Sequence, residues 1–136
     1  MQAKDQPPGG GHGGRILVVD DNPKIRDVVT RLLEDEGLPV DTAADGQRAV
    51  EMATRVRPSL IVLDMGLPIL NGEQVAARLR EHYGEPPPII VVSADGRAAE
   101  KAALIGAHGY LHKPFDVEEL IRLVHLALAV GWSEPS

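Results

Sequence analysis

Residues 15–37 read RILVVDDNPKIRDVVTRLLEDEG, and the order of residue types within them decides the architecture. Arg15 to Val19 is a short β-rich apolar run. It stops on two carboxylates, Asp20 and Asp21. Asn22 then offers a side-chain oxygen to the free N–H groups of a helix start, and Pro23 suits the first helical position, where no N–H is needed. Ile25, Val28, Val29, Leu32 and Leu33 follow at helical spacing, and Gly37 closes the unit. Strand, acidic turn and capped helix make one complete βα unit.

Working outward, four more units follow. A strand near Leu38 to Ala43 leads through Asp45-Gly46 into a helix carrying Ala49, Val50, Ala53 and Val56, which Pro58 terminates. Leu60 to Leu63 is apolar on both faces, as a central parallel strand covered by helices should be, and it ends on Asp64. A loop through Pro68 and Asn71-Gly72 precedes a helix with Val75, Ala76 and Leu79. Ile89 to Val92 forms the fourth strand and stops at Ser93. A short Ala-rich helix spans about Arg97 to Ile105. The last strand, Gly109 to His112, runs into Lys113-Pro114-Phe115, and Val117 to Val130 forms the final helix. Alternating strands and helices predict an α/β fold with a five-stranded parallel sheet and five helices.

Residues 1–14 carry Pro7, Pro8 and a glycine run, with little to bury, and read as a disordered tail. A phosphate-binding glycine loop would have to follow a strand, and this run precedes the first one. The folded domain is expected over 15–130, with a short tail at 131–136. With 136 residues, one domain is the default. Aromatics make up 3% of the chain, so the core must be aliphatic. A formal net charge of −6 argues against direct nucleic-acid binding, which needs clustered Lys and Arg. No stretch has the apolar length of a membrane span and no secretory signal is recognisable, so a cytoplasmic protein off the membrane is the expectation.

In an open parallel sheet the ligand crevice lies outside the carboxyl ends of the strands. Asp20 and Asp21, Asp64, Ser93 and Lys113 follow or end four of the five strands. Taken alone, Asp20-Asp21 is ordinary turn chemistry and Lys113 a solvated loop lysine. Their convergence at one sheet edge is what marks a site. Three carboxylates in a partly dry crevice repel one another, and an all-oxygen donor set without Cys or His selects a hard cation, Mg2+ or alternatively Mn2+. A phosphate would have to arrive with that metal. Lys113 and Ser93 then become groups that neutralise and hydrogen-bond phosphoryl oxygens on Asp64, the nucleophile.

The stretches Ile16-Leu-Val-Val-Asp20-Asp21-Asn-Pro23, Leu63-Asp64-Met-Gly-Leu-Pro68 and Tyr110-Leu-His-Lys113-Pro114-Phe115 together resemble response-regulator receiver domains of two-component and phosphorelay signalling, over about Arg15 to Val130. The resemblance implies a doubly wound, flavodoxin-like sheet of order 2-1-3-4-5. It implies Asp64 as phosphoacceptor, with Asp21, Asp64 and the Gly66 carbonyl as direct metal ligands and Asp20 acting through metal-bound water. It makes Ser93 and Tyr110 the switch pair, Lys113 the partner of the phosphoryl oxygens, and the bond to Pro114 often cis. Two tuning positions are Gly66, which leaves an attacking water unobstructed, and Asp95, expected to add a negative charge near the site.

A stand-alone receiver would take its phosphoryl group from a histidine kinase or histidine phosphotransfer protein and act on a downstream protein, or on a second copy of itself. It is not expected to be an enzyme with an external substrate. The final helix carries Leu123, Leu126 and Val130 as a second apolar edge beside its core stripe, which predicts a contact surface together with the preceding strand and short helix. Trp132 is expected to fold back on this helix, and His82, His108 and His125 to be solvated or capping. Three alternatives stay open on the residues alone: a pseudo-receiver that only binds, a small metal-dependent phosphatase, and a flavodoxin-like electron carrier. Gly66 stands where a phosphatase of the Asp-x-Asp kind would place its second carboxylate, and the acidic first loop disfavours a flavin phosphate.

Overall fold

The computed structural model describes residues 14–132, so the reading of residues 1–13 as a tail lies outside the described residues. Ile16–Val19 forms β1, buried along its whole length. Asn22 caps α1 (Pro23–Asp35) by accepting the N–H groups of Lys24 at 2.9 Å and Ile25 at 3.4 Å. Past the end of α1, Gly37 turns the chain at φ 83°, a conformation that costs glycine little. The chain continues through β2 (Val40–Ala43), α2 (Gly46–Arg55), β3 (Leu60–Asp64), α3 (Gly72–Tyr83), β4 (Ile89–Ser93), α4 (Ala98–Ile105), β5 (Gly109–His112) and α5 (Val117–Trp132). All strand pairs are parallel, in the order β2-β1-β3-β4-β5. This is the expected doubly wound sheet.

Alternate residues of the strands feed two aliphatic cores. On one face Leu17, Val19, Ile61, Leu63 and Val91 meet Ala49, Ala53, Val75, Leu79 and Ile105 from α2, α3 and α4. On the other, Ile16, Val18, Leu60, Val62 and Ile90 meet Val29, Leu33, Leu120 and Val124 from α1 and α5. β3 and β4 are buried at every residue. Each Leu or Ile so buried contributes about 1.5–3 kcal/mol, and the double-sided packing fixes the register that brings the strand ends together.

Element ends differ from expectation where side chains decide them. Arg15 lies outside β1, its guanidinium turned to Asp41 at 2.9 Å. β2 starts two residues late because Leu38 donates its N–H back to Leu33 at 3.0 Å and Pro39 has none to offer. β3 and β4 each run one residue further, taking Asp64 and Ser93 into the ladder opposite Val92 and His112. α5 continues helically through Trp132, two residues past the expected helix end at Val130, and residues 133–136 of the expected tail lie outside the described residues. The side chains of Val130 and Trp132 lie outside the described residues.

The loop after β3 is tight. A Cβ on Gly46 would overlap the Leu70 carbonyl, and one on Gly72 would overlap Met65, so two glycines let the loop close against α2 and α3. Between them Leu70 donates its N–H to the Pro68 carbonyl at 2.8 Å, closing a three-residue turn around Ile69 at φ 71°.

Candidate functional site

Strand ends set the positions of the polar residues. Asp20 follows β1, Asp64 ends β3, Ser93 ends β4 and Lys113 follows β5, so residues far apart in the chain meet at one edge. Asp20, Asp64 and Ser93 are the three buried polar side chains among the described residues. Carboxylate oxygens of Asp20, Asp21 and Asp64 lie within 4.8 Å of one another, with Asp21 the exposed member. Lys113 bridges the two buried ones, its Nζ 2.9 Å from Asp20 Oδ2 and 3.2 Å from Asp64 Oδ2.

Local hydrogen bonds orient each carboxylate. Asp20 Oδ1 accepts the Asn22 N–H at 2.9 Å, and Asp64 Oδ1 accepts the Gly66 N–H at 3.1 Å. Arg26, which sequence reasoning missed, reaches back from α1 and donates to the Asp20 carbonyl at 2.7 Å. Burial pulls the Lys113 ammonium down, but hydrogen bonds and charge from Asp20 and Asp64 outweigh it and leave its pKa raised. Three carboxylates against one ammonium leave two negative charges in the crevice. That charge and the all-oxygen donor set fit a hard divalent cation of the magnesium type. The Lys113-Pro114 bond is cis.

Not every expected residue joins the cluster. Ser93 is 2% exposed, and its hydroxyl donates to Asp95 Oδ1 at 2.7 Å rather than to Asp64. Asp95 does not stand as a free charge near the site, which corrects the expectation. Lys101 pairs with its Oδ2 at 2.7 Å, and the Arg97 N–H reaches Oδ1 at 2.9 Å. Hydrogen bonds from Lys101, then Ser93, then Arg97 hold the Asp95 carboxyl well below the usual carboxylate range. Tyr110 stands 45% exposed on β5, edge-on to His112.

The apolar edge of α5 is divided. Leu126 is 57% exposed, but Leu123 packs against the second core beside Gly109 and Ile90, so it belongs largely inside. Leu104 on α4, unread in the sequence, is 70% exposed. His125 is exposed and pairs with the Glu36 side-chain carboxylate at 3.1 Å, a surface contact rather than a helix cap.

This fold and this acidic edge are those of a receiver domain, and comparison with known proteins agrees. The sequence profile of the response regulator receiver domain family matches residues 16–125, and the chain belongs to that family. It is 40% identical over 116 residues to the response regulator MprA of Mycobacterium leprae (strain TN), covering 84% of this chain and 50% of that protein. It is 41% identical over 112 residues to an uncharacterized 14.6 kDa protein of Leptolyngbya boryana, covering 80% of this chain and 86% of that one. The receiver domain of the Francisella response regulator 1452 superposes with a TM-score of 0.79 at 28% identity, covering 87% of this chain and 98% of that domain. The chain spans about half the length of MprA. Receiver domains act mainly in signalling and bind Mg2+ at an acidic pocket. No described helix is long and apolar enough to cross a membrane.

Proposed function

We propose that Asp64 is the phosphoacceptor of this receiver and that the donor is a phosphohistidine on a histidine kinase or histidine phosphotransfer protein. The observation that carries the reading is Lys113 held between Asp20 and Asp64 inside a cluster that keeps two uncompensated negative charges. A carboxylate oxygen of Asp64 bonds to phosphorus as the phosphorus–nitrogen bond of the donor breaks. The bonding pair stays on the imidazole nitrogen, which takes up a proton. Lys113 then pairs with the phosphoryl oxygens, releasing its hold on Asp20.

Asp21, Asp64 and the carbonyl of Gly66 would hold Mg2+ directly, with Asp20 acting through water; Mn2+ has the same donor preference. The ion, when bound, neutralises the crevice and the incoming phosphoryl oxygens. Gly66 leaves open space on its side, since a Cβ there would meet only Asp64 at 3.9 Å. That openness favours a short phosphoryl lifetime by admitting water.

Phosphorylation adds about 1.5–2 negative charges where Ser93 and Lys113 can reach them. The switch pair Ser93 and Tyr110 then carries the change to the face of α4, β5 and α5, where Leu104, Tyr110 and Leu126 are exposed on neighbouring elements. That face acts on a downstream protein, on a joined domain, or on a second copy of the chain.

Intact-mass spectrometry after incubation with acetyl phosphate and Mg2+ tests the acceptor. An adduct of about 80 Da, one phosphoryl group, is expected in the wild type and absent in Asp64→Asn or without metal. No adduct, with beryllofluoride also leaving the protein unperturbed, would refute the reading in favour of a module that only binds.

A further inference from the structure

The buried Ser93 hydroxyl has a partner that the phosphoacceptor reading does not use. It donates to Asp95 Oδ1 at 2.7 Å, and at 2% exposure the residue is largely shielded from water. Asp95 is itself gripped. Lys101 binds Oδ2 at 2.7 Å from the second turn of α4, and the Arg97 N–H binds Oδ1 at 2.9 Å. Arg97, the N-cap position of α4, makes no side-chain cap bond, so the Asp95 carboxylate serves the head of that helix instead. Lys101 is three residues before the exposed Leu104, one helical turn along the same helix. A continuous path of charged hydrogen bonds therefore runs from the end of β4 to the α4 surface.

We propose that Ser93, Asp95 and Lys101 form a latch that holds the receiver in its unphosphorylated arrangement. Asp95 is the positioning residue and Lys101 is its anchor on α4. The inference rests on Asp64 being the phosphoacceptor: a hydroxyl that turns to a phosphoryl group there must first leave Asp95. A bond to a charged acceptor is stronger than one between neutral groups, so leaving it sets a threshold for activation. The latch lowers the population of the activated arrangement before any phosphoryl group arrives, and so weakens the apparent affinity for anything that binds that arrangement. It also gives α4 a reason to respond, because Asp95 cannot lose Ser93 without changing the group that Lys101 holds.

Beryllofluoride with Mg2+ is the probe, titrated into the intact chain and followed by amide chemical shifts at Leu104 and Leu111. Asp95→Ala is expected to bind about tenfold tighter than wild type, equivalent to about 1.4 kcal/mol, the scale of one released hydrogen bond. Lys101→Ala, a surface change that leaves every site residue in place, is expected to bind about threefold tighter, because an unanchored Asp95 holds Ser93 less well. In a Ser93→Ala background the Asp95 substitution should shift affinity by less than about twofold, since the two residues then share no bond.

A role for Asp95 as a local charge alone predicts the reverse for Lys101, because removing a cation weakens binding of an anion. It also predicts that the Asp95 effect survives in Ser93→Ala. Either result overturns the latch, as does equal binding by wild type, Asp95→Ala and Lys101→Ala. A wild type that does not respond to beryllofluoride overturns the phosphoacceptor reading, and the latch with it.

Discussion

Lys113→Met removes the charge on which the resting site depends while keeping most of the side-chain stem. The ammonium lies 2.9 Å from Asp20 and 3.2 Å from Asp64, with the lysine side chain 18% exposed and the two carboxylates 5% and 7%. Taking one partner from a buried ion pair costs about 3–5 kcal/mol, because the charge left behind is neither paired nor hydrated. Here two buried carboxylates are left, and Asp21 adds to their repulsion. The crevice opens to water at Asp21 and at Lys113 itself, which brings the loss to or below the lower end of that range, about 2–3 kcal/mol at neutral pH. That is a large share of the roughly 5–15 kcal/mol that holds a domain folded. Urea unfolding in a chelator should show the lowered midpoint. Saturating Mg2+ should restore most of it, with a larger gain than in the wild type, where the ammonium opposes the ion. A variant as stable as wild type in chelator would refute the electrostatic argument. A loss that Mg2+ does not recover would remove the metal from this cluster.

The pH dependence of Lys113 follows from the direction of its shift. Its folded pKa is raised, so its contribution is complete below the unfolded value of about 10.4 and is lost as pH rises through the folded value. As pH rises above about 10.4 the wild type should therefore lose stability faster than Lys113→Met, and parallel curves would contradict this. Ile69→Gly should stabilise the fold. Relief of about 2 kcal/mol of strain at φ 71° exceeds about 0.7 for glycine's freedom in the unfolded chain and about 0.5 for the buried minority of the side chain, leaving about 0.8 kcal/mol. A lower urea midpoint than wild type would show that the turn is not strained. On the proposed signalling face, beryllofluoride with Mg2+ should raise the sedimentation mass of the wild type, and Leu126→Glu should hold it at the monomer value. If the variant associates as the wild type does, Leu126 is not at the contact.

What could be read from the chain alone was whatever depends on position along it. Asp20, Asp64, Ser93 and Lys113 each stand at a strand end, and a run such as Leu60 to Leu63 announces both a strand and its burial, so the sheet edge and its carboxylates were legible. What required the folded molecule was direction. Helical phase puts Leu123 and Leu126 on one edge, but Gly109 has no Cβ, and the space it leaves takes Leu123 inward while Leu126 stays out. Leu104 escaped notice because α4 is eight residues long, and Ala on four of those eight positions leaves little contrast between faces. Arg26 reads as one more charge on an exposed helix until its guanidinium is seen on the Asp20 carbonyl.

The same distinction separates chemistry from control in this receiver. A metal and phosphoryl site needs carboxylates and an ammonium delivered to one point, and parallel strands of matched register deliver them whatever the surrounding loops do. The resting state depends on one hydroxyl and its choice of acceptor. That choice is made by Asp95, whose own direction is set by Lys101 six residues further on and by a turn at Gly96 with φ 79°. None of these residues needs to change for the chemistry to work, and any of them can change how readily the surface follows it. Variation at Asp95 and Lys101 should therefore alter the activation threshold while leaving the capacity of Asp64 to accept a phosphoryl group intact.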